Sequence, residues 1–180
     1  MLSLTTARLQ ISPLGVKDLD AFVEYRQDPQ IARYQSWEPS FSIELGMELI
    51  QSQADVSFPE KGDWLQLALH RLETGELIGD LALHSLEGSE TAFEIGFTIT
   101  KKHQGQGYAK EGAKKLVDFL FDEHSASRII ATPDSRNLPS IKLLEALGFV
   151  KLPEKSWTED FKGENVTVDF YELRAPEASR

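Results

Sequence analysis

Apolar residues along the chain recur with two periods, one of two residues and one of three to four, and the way these alternate predicts the order of the elements. Leu9 and Ile11 alternate with polar neighbours, as in a strand with one buried face, whereas Leu19, Phe22, Val23 and Arg26 fall at helical spacing within Val16 to Gln27. Asp28-Pro29 ends that helix, because a residue before proline is driven out of the helical region. A helical turn from Pro29 to Tyr34 and an irregular stretch through Trp37-Glu38-Pro39 lead to Ser42, placed as N-cap of a helix carrying Ile43, Met47 and Ile50.

The middle of the chain changes period. Trp64 to Arg71 and Leu77 to His84 read as antiparallel strands joined across Glu73-Thr74-Gly75-Glu76, and Thr91 to Thr100 adds a third. From Gly107 to His124, Ala109, Ala113, Leu116, Val117, Leu120 and Phe121 form one buried helical stripe with charged residues around the other side. Arg128 to Ala131 is a short strand. Asn137 to Leu147 is a helix with Pro139 tolerated in its first turn and Gly148 as its C-terminal stop. Lys162-Gly163-Glu164-Asn165 then turns the chain into a last strand, Val166 to Leu173. With no long Gly/Ser/Pro-rich linker, the expectation is one α/β domain over residues 1–175, followed by a polar tail at 176–180.

Composition narrows the chemistry. At 180 residues and 41% hydrophobic, the chain is long enough to bury a sizeable core. Nineteen Lys and Arg against 29 Asp and Glu give a net charge of -10, which repels polyanions, so nucleic acid is not an expected partner. The absence of Cys excludes disulfides, a thiol nucleophile and Cys-ligated metal, and the four His are not spaced as a zinc pair, so no metal is expected. No apolar run approaches the roughly 18 residues of a membrane span, and Met1 to Leu9 does not look like a secretion signal. A cytoplasmic protein without membrane contact is the expectation, with a homodimer as the assembly to consider.

One stretch carries chemistry: Gln104-Gly105-Gln106-Gly107-Tyr108-Ala109, between a strand and the start of an amphipathic helix. There the helix dipole and unpaired backbone N–H groups favour an anion, and glycines let a phosphate approach the main chain; glycines also serve plain turns. A dinucleotide fingerprint starting at Gly105 would need a third glycine where Lys110 stands, and a P-loop starting at Gly107 would need a lysine where Ala113 stands. Both fail.

The segment resembles motif A of the GNAT N-acetyltransferases, Gln/Arg-x-x-Gly-x-Gly/Ala, met by Gln104, Gly107 and Ala109. Ala92 to Ile99 before it is similar to a central strand of that family, and Asn137-Leu138-Pro139-Ser140, Leu143-Leu144-Glu145 and Gly148-Phe149 after it are similar to motif B. Thr5-Thr6-Ala7-Arg8-Leu9, the Asp28-Pro29 break and Asn-x-x-Ser with Gly-Phe most resemble the RimJ/RimL-type branch. The resemblance implies a single mixed, mostly antiparallel sheet with splayed central strands flanked by helices, and acetyl-CoA as cosubstrate with no metal. It also implies that main-chain groups of Phe97, Thr98 and Ile99 hold the pantetheine arm, that Gln104, Gly105, Gln106, Gly107, Tyr108 and Ala109 form the pyrophosphate loop, and that Asn137 anchors the pantetheine from the other side. Asn137 is equally suited to cap its helix.

Amine acetylation needs a base, so a carboxylate should flank the splay. Glu94 is the leading base: it lies on the strand face opposite Ile95, Phe97 and Ile99, with Gly96 and Thr98, although an ion-pair partner reads the same way. Many members place an acid Tyr in the motif B helix where this chain has Leu144, which leaves Ser140 as the group to meet the departing sulfur, or as an ordinary first-turn serine. Tyr34, Trp37 and Glu38 are the expected acceptor residues, with core packing as the alternative for the aromatics. The reading is acetyl transfer from acetyl-CoA directly to a primary amine, on a protein N-terminus (ribosomal ones among them) or on a small molecule. A non-catalytic acyl-CoA-binding or sensing module is the alternative, and retained Glu94 weighs against it.

Overall fold

The computed structural model describes residues 2–175, so the tail expected at 176–180 lies outside the described residues. Its frame is an eight-stranded sheet. In chain order the elements are β1 (Leu4–Thr5), β2 (Leu9–Pro13), α1 (Leu19–Arg26), α2 (Pro29–Ala32), α3 (Ile43–Ser52), β3 (Trp64–Arg71), β4 (Leu77–Ser85), β5 (Ala92–Ile99), α4 (Tyr108–Glu123), β6 (Arg128–Ala131), α5 (Leu138–Ala146), β7 (Val150–Lys151), β8 (Trp157–Phe161), β9 (Glu164–Val168) and β10 (Tyr171–Arg174). The large sheet runs β1-β2-β3-β4-β5-β6-β10-β7, and β8-β9 form a separate hairpin. Every pairing is antiparallel except β5 with β6, which is parallel. The expected mixed, mostly antiparallel α/β sheet is what forms.

The alternation read from the sequence sorts residues onto two faces. Leu65, Leu67 and Leu69 of β3, Leu81 and Leu83 of β4, and Phe93 and Ile95 of β5 join Ala113, Leu116 and Leu120 of α4 in one core. On the opposite face Ala68 packs with Leu19, Phe22 and Val23 of α1 and Ile50 of α3. Gly46 lets α3 approach α1, since a Cβ there would come within 2.8 Å of Leu19 and Val23 side-chain carbons. The second face also buries charge. Asp80, 1% exposed, accepts from the Tyr25 hydroxyl and the Gln66 amide, and Arg26 Nη2 lies 3.8 Å away. The Arg26 guanidinium is enclosed by Trp37, Phe22 and Phe41, with ring centroids at 3.7, 4.2 and 5.0 Å. Burial and the Asp80 carboxylate hold the Tyr25 hydroxyl well above its ordinary pKa, so it stays a donor.

One expectation about the C-terminal part is corrected. The run expected as one strand, Val166 to Leu173, is two: β9 ends at Val168 and β10 begins at Tyr171. Between them Asp169 is buried, pairs with Lys151 Nζ at 2.8 Å and donates its amide to the Pro133 carbonyl, which redirects the chain from the hairpin to the large sheet. The turn at Lys162-Gly163 is as expected, with both residues at positive φ (54° and 77°) between the paired Phe161 and Glu164. Its first arm, β8, went unread because Trp157-Thr158-Glu159-Asp160 is exposed on both sides and has no apolar alternation.

β3 and β4 slip register between Leu69 and His70, so that Ile78 is an extra residue on β4. Beside it Gly79 faces Ile99 so closely that a Cβ would collide with the Thr98 carbonyl oxygen. Gly79→Ala is therefore expected to destabilise the fold by roughly 1–3 kcal/mol, as overpacking of an ordered interior does; a urea midpoint equal to wild type would show that β4 and β5 can separate without cost.

Candidate active site

The parallel pairing of β5 and β6 stops almost as soon as it starts. Ala92, Phe93 and Glu94 pair with Arg128, Ile129 and Ile130, after which β5 runs on to Ile99 with no strand partner on that side among the described residues. Main-chain groups of Ile95 to Ile99 therefore border an opening in the middle of the sheet. Phe97, Thr98 and Ile99 lie on this stretch, Thr98 and Ile99 buried and Phe97 half-buried.

Beyond β5 the chain makes a 3-10 turn at Lys101–His103 and enters the glycine loop. Gly105 and Gly107 both adopt left-handed backbone (φ 73° and 81°), which only glycine takes without strain. The backbone N–H groups from Gly105 to Ala109 meet no acceptor among the described residues, and the first turn of α4 has no side-chain cap. The carbonyls here are turned away and held: Gln104 Nε2 donates to Ile99 O (3.0 Å), Gln106 Nε2 to Lys102 O (3.1 Å) and Arg8 Nη1 to Gln106 O (3.0 Å). Consecutive uncapped donors at a helix N-terminus are an anion site. Tyr108 is buried, its ring under the Arg8 guanidinium at 4.2 Å. His103 is buried, with Nδ1 2.8 Å from Thr100 Oγ1, and Lys102 is paired with Glu76.

Glu94 sits where the pairing ends. Thr132, just past β6, donates to its Oε1 at 2.7 Å, and His84 Nδ1 lies 3.3 Å from Oε2. His84 faces Glu94 across β4–β5 and Trp64 across β3–β4, and its ring stacks on the half-exposed Trp64 indole at 4.3 Å. No motif or spacing in the sequence singles out His84 or Thr132. His84 was legible in principle, because a hairpin that pairs Gly79 with Ile99 must also pair residues 84 and 94; Thr132 arrives from a loop that carries no pattern.

After β6, Asn137 opens α5 and caps it, its Oδ1 accepting from the Ser140 amide at 3.4 Å. Ser140 lies in the first turn but is not the cap. Leu144 is fully buried, so the position where many relatives carry an acid Tyr points into the core and offers nothing to the opening.

The expected acceptor residues are brought together but used unevenly. Trp37 covers Arg26 and donates to its carbonyl at 3.1 Å, a packing role. Tyr34 lies between Arg33 and Arg136, 5.1 and 5.8 Å from the two guanidinium carbons. Glu38 is exposed and 3.7 Å from Lys162, whose Nζ reaches across from the β8–β9 turn to the carbonyls of Ala32 (2.8 Å) and Trp37 (2.6 Å). Arg33, Glu38, Arg136, Lys162 and Glu164 line a cavity of about 260 Å³. Among the described residues no group of His, Asp and Glu is arranged to hold a metal, and no helix is long and apolar enough to cross a membrane.

Residues 8–150 match the family described as acetyltransferase (GNAT) domain. The chain is 30% identical over 173 residues to the uncharacterized N-acetyltransferase p20 of Bacillus licheniformis, covering 96% of each. Its fold is similar to that of a GNAT-family acetyltransferase from Bacillus anthracis, with a TM-score of 0.83 at 23% identity over 96% of this chain and 98% of the other. It is also similar to the spermidine N-acetyltransferase of Vibrio cholerae, solved with CoA and spermine, with a TM-score of 0.80 at 20% identity over 94% and 96%. The chain belongs to the GNAT family and is an N-acetyltransferase. The family's acyl donor is acetyl-CoA.

The loop is tied to the rest of the fold through Glu111 in the first turn of α4, which accepts from Thr6 Oγ1 (2.6 Å), Arg8 N (2.9 Å) and Arg8 Nε (2.6 Å). Burial alone would raise its pKa, but these donors and the Arg8 charge outweigh burial and hold it below the usual range. A carboxyl with a depressed folded pKa contributes stability that is complete above the unfolded value, about 4.3, and lost as pH falls through the folded one. Wild type should therefore lose more stability than Glu111→Gln between pH 6 and pH values below about 4; parallel losses in urea titrations at the two pH values would show that Glu111 contributes nothing to acid sensitivity.

Proposed function

We propose that the opening beyond Glu94 binds the acetyl-pantetheine arm of acetyl-CoA, and that the enzyme passes the acetyl group directly to a primary amine while both substrates are bound. One observation carries this reading: an unpaired strand edge leads from a partly buried carboxylate at one end to uncapped loop amides at the other. The edge offers the main chain of Phe97 and the Ile99 N–H to an amide-bearing chain, as a further strand would, whereas the Thr98 carbonyl faces Gly79 of β4 and the Ile99 carbonyl is held by Gln104, so Thr98 and the rest of Ile99 line the arm without bonding it through those oxygens. The Gly105–Ala109 amides then receive the diphosphate. Gln104 and Gln106 act as braces, holding carbonyls away from that anion. Asn137 faces the arm from the α5 side while keeping its capping bond.

Glu94 takes the proton released as the amine nitrogen bonds to the acetyl carbon, directly or through water, and the carbon–sulfur bond breaks as the oxyanion collapses. Thr132 fixes the carboxylate, leaving the oxygen near His84 for the acceptor side. The leaving thiolate, with an ordinary thiol pKa of about 8.5, departs either with a hydrogen bond from the Ser140 hydroxyl or unassisted, and takes its proton from solvent. The acceptor enters from the side of Tyr34 and Glu38, and Trp37 supports that wall from behind. It is a primary amine on a protein N-terminus or on a small molecule.

Turnover of acetyl-CoA against a panel of N-terminal peptides and small amines, read as CoA release, identifies the acceptor. With that acceptor, Glu94→Gln should lower kcat by on the order of 10²-fold or more with CoA affinity nearly intact; full activity in the Gln variant would remove Glu94 as base and direct attention to Glu38.

Ser140→Ala separates the two fates of the thiolate. Because Asn137 is the cap, the substitution should lower the melting point by less than loss of a cap, which costs about 0.5–2 kcal/mol. If the hydroxyl donates a hydrogen bond to the departing sulfur, single-turnover rates fall by about tenfold or more. An unchanged rate would show that the thiolate leaves unassisted.

A further inference from the structure

Arg8 stands on the turn between β1 and β2, remote in sequence from the glycine loop, yet its guanidinium touches that loop at two points and closes off the space beside a third residue. Nη1 donates to the Gln106 carbonyl at 3.0 Å, the plane of the group covers the Tyr108 ring at 4.2 Å, and Nη2 lies 3.4 Å from where a Gly107 Cβ would be. The group is held in turn by Glu111, whose Oε2 receives Nε and Nη2 at 2.6 Å each. The planar fork thus clamps a carboxylate with one edge and a carbonyl with another, which a single ammonium does not do.

The carbonyl it holds matters for two reasons. In a trans, planar peptide the C=O and the following N–H point in opposite directions, so fixing the Gln106 carbonyl also fixes the direction of the Gly107 N–H. And were Gln106 to enter α4, its carbonyl would accept from the Lys110 amide four residues on; Arg8 takes that carbonyl instead and keeps the helix from growing into the loop.

We propose that Arg8 is a positioning residue for the coenzyme diphosphate: it acts through the Gln106–Gly107 peptide, turning the loop amides toward the anion before the ligand arrives. This rests on the acetyl-CoA reading above and adds to it a residue outside the loop that sets the loop's affinity. Neutralised by Glu111, Arg8 contributes through geometry rather than through net charge.

The test compares a ligand that has the phosphates with one that lacks them. Calorimetry with CoA, and thermal shift with pantetheine at high concentration, are run on wild type, Arg8→Ala and Arg8→Lys. Arg8→Ala should weaken CoA by about tenfold, one well-made hydrogen bond's worth of affinity, and leave the pantetheine response unchanged. Should the alanine variant not fold, Arg8→Lys decides, because it retains the ion pair with Glu111 but not the fork, and CoA should again weaken selectively. Wild-type CoA affinity in a folded variant, or equal loss for CoA and pantetheine, overturns the proposal. No CoA binding by wild type overturns the coenzyme reading itself, and this inference with it.

Discussion

Everything in the site depends on a β-ladder that is cut short. A parallel pair in the centre of a sheet ordinarily continues until one strand ends, because buried amides and carbonyls without partners are costly. Here β6 ends at Ala131, one residue past its third and last pair with β5, while β5 goes on for five residues beyond Glu94. The separation is held from both sides. β6 is fastened to β10, in register from Arg128 to Ala131, and β5 is fastened to β4 along its length. α4 spans the remaining gap underneath, its Leu116 and Leu120 packing in the same core as Phe93, Ile95 and Ile129. The opening is thus a fixed feature of the folded chain, and apart from the Ile99 carbonyl held by Gln104, the edge it leaves has hydrogen-bonding capacity for a ligand or water to take up.

Much of this was legible in the sequence because the relevant signals are local. Alternation in Ala92 to Ile99 placed Glu94 on the face away from the apolar core, and the stripe from Ala109 to Phe121 located the helix behind the glycine loop. Other parts depend on contacts that no window of sequence contains. Arg8 and Gln106, Thr132 and Glu94, and Lys162 and Ala32 are each far apart along the chain and meet through a side chain that, read alone, is an ordinary surface residue. Tyr25 and Arg26 run the other way: an aromatic and a cation on an N-terminal helix read as surface residues, but both are buried around Asp80. A charged residue at a helical position otherwise filled by apolar ones was the available sign that Arg26 is interior.

The two sides of the opening differ in chemistry. On the loop side the main chain does the work, with glycines in left-handed conformation and carbonyls held back by Gln104, Gln106 and Arg8. On the other side the residues are side chains, with a carboxylate between a threonine and a histidine, and beyond it a cavity walled by cations and carboxylates in near balance. A main-chain site suits a donor whose diphosphate and amides are invariant. A side-chain wall suits an acceptor that differs from one family member to another.

The reach of Lys162 gives that wall an unusual construction. The ammonium at the tip of the β8–β9 hairpin is bonded to main-chain carbonyls at Ala32 and Trp37, so two segments 125 to 130 residues apart along the chain form one jaw. Their fates are joined. Transplanting residues 29–41 from a relative into this scaffold would leave the ammonium facing carbonyls displaced by any change in loop length, and the transplanted segment would lose its outer support. Diversification of acceptor choice in this lineage is then expected to proceed by paired exchange, loop and hairpin tip together, rather than by drift in either one alone.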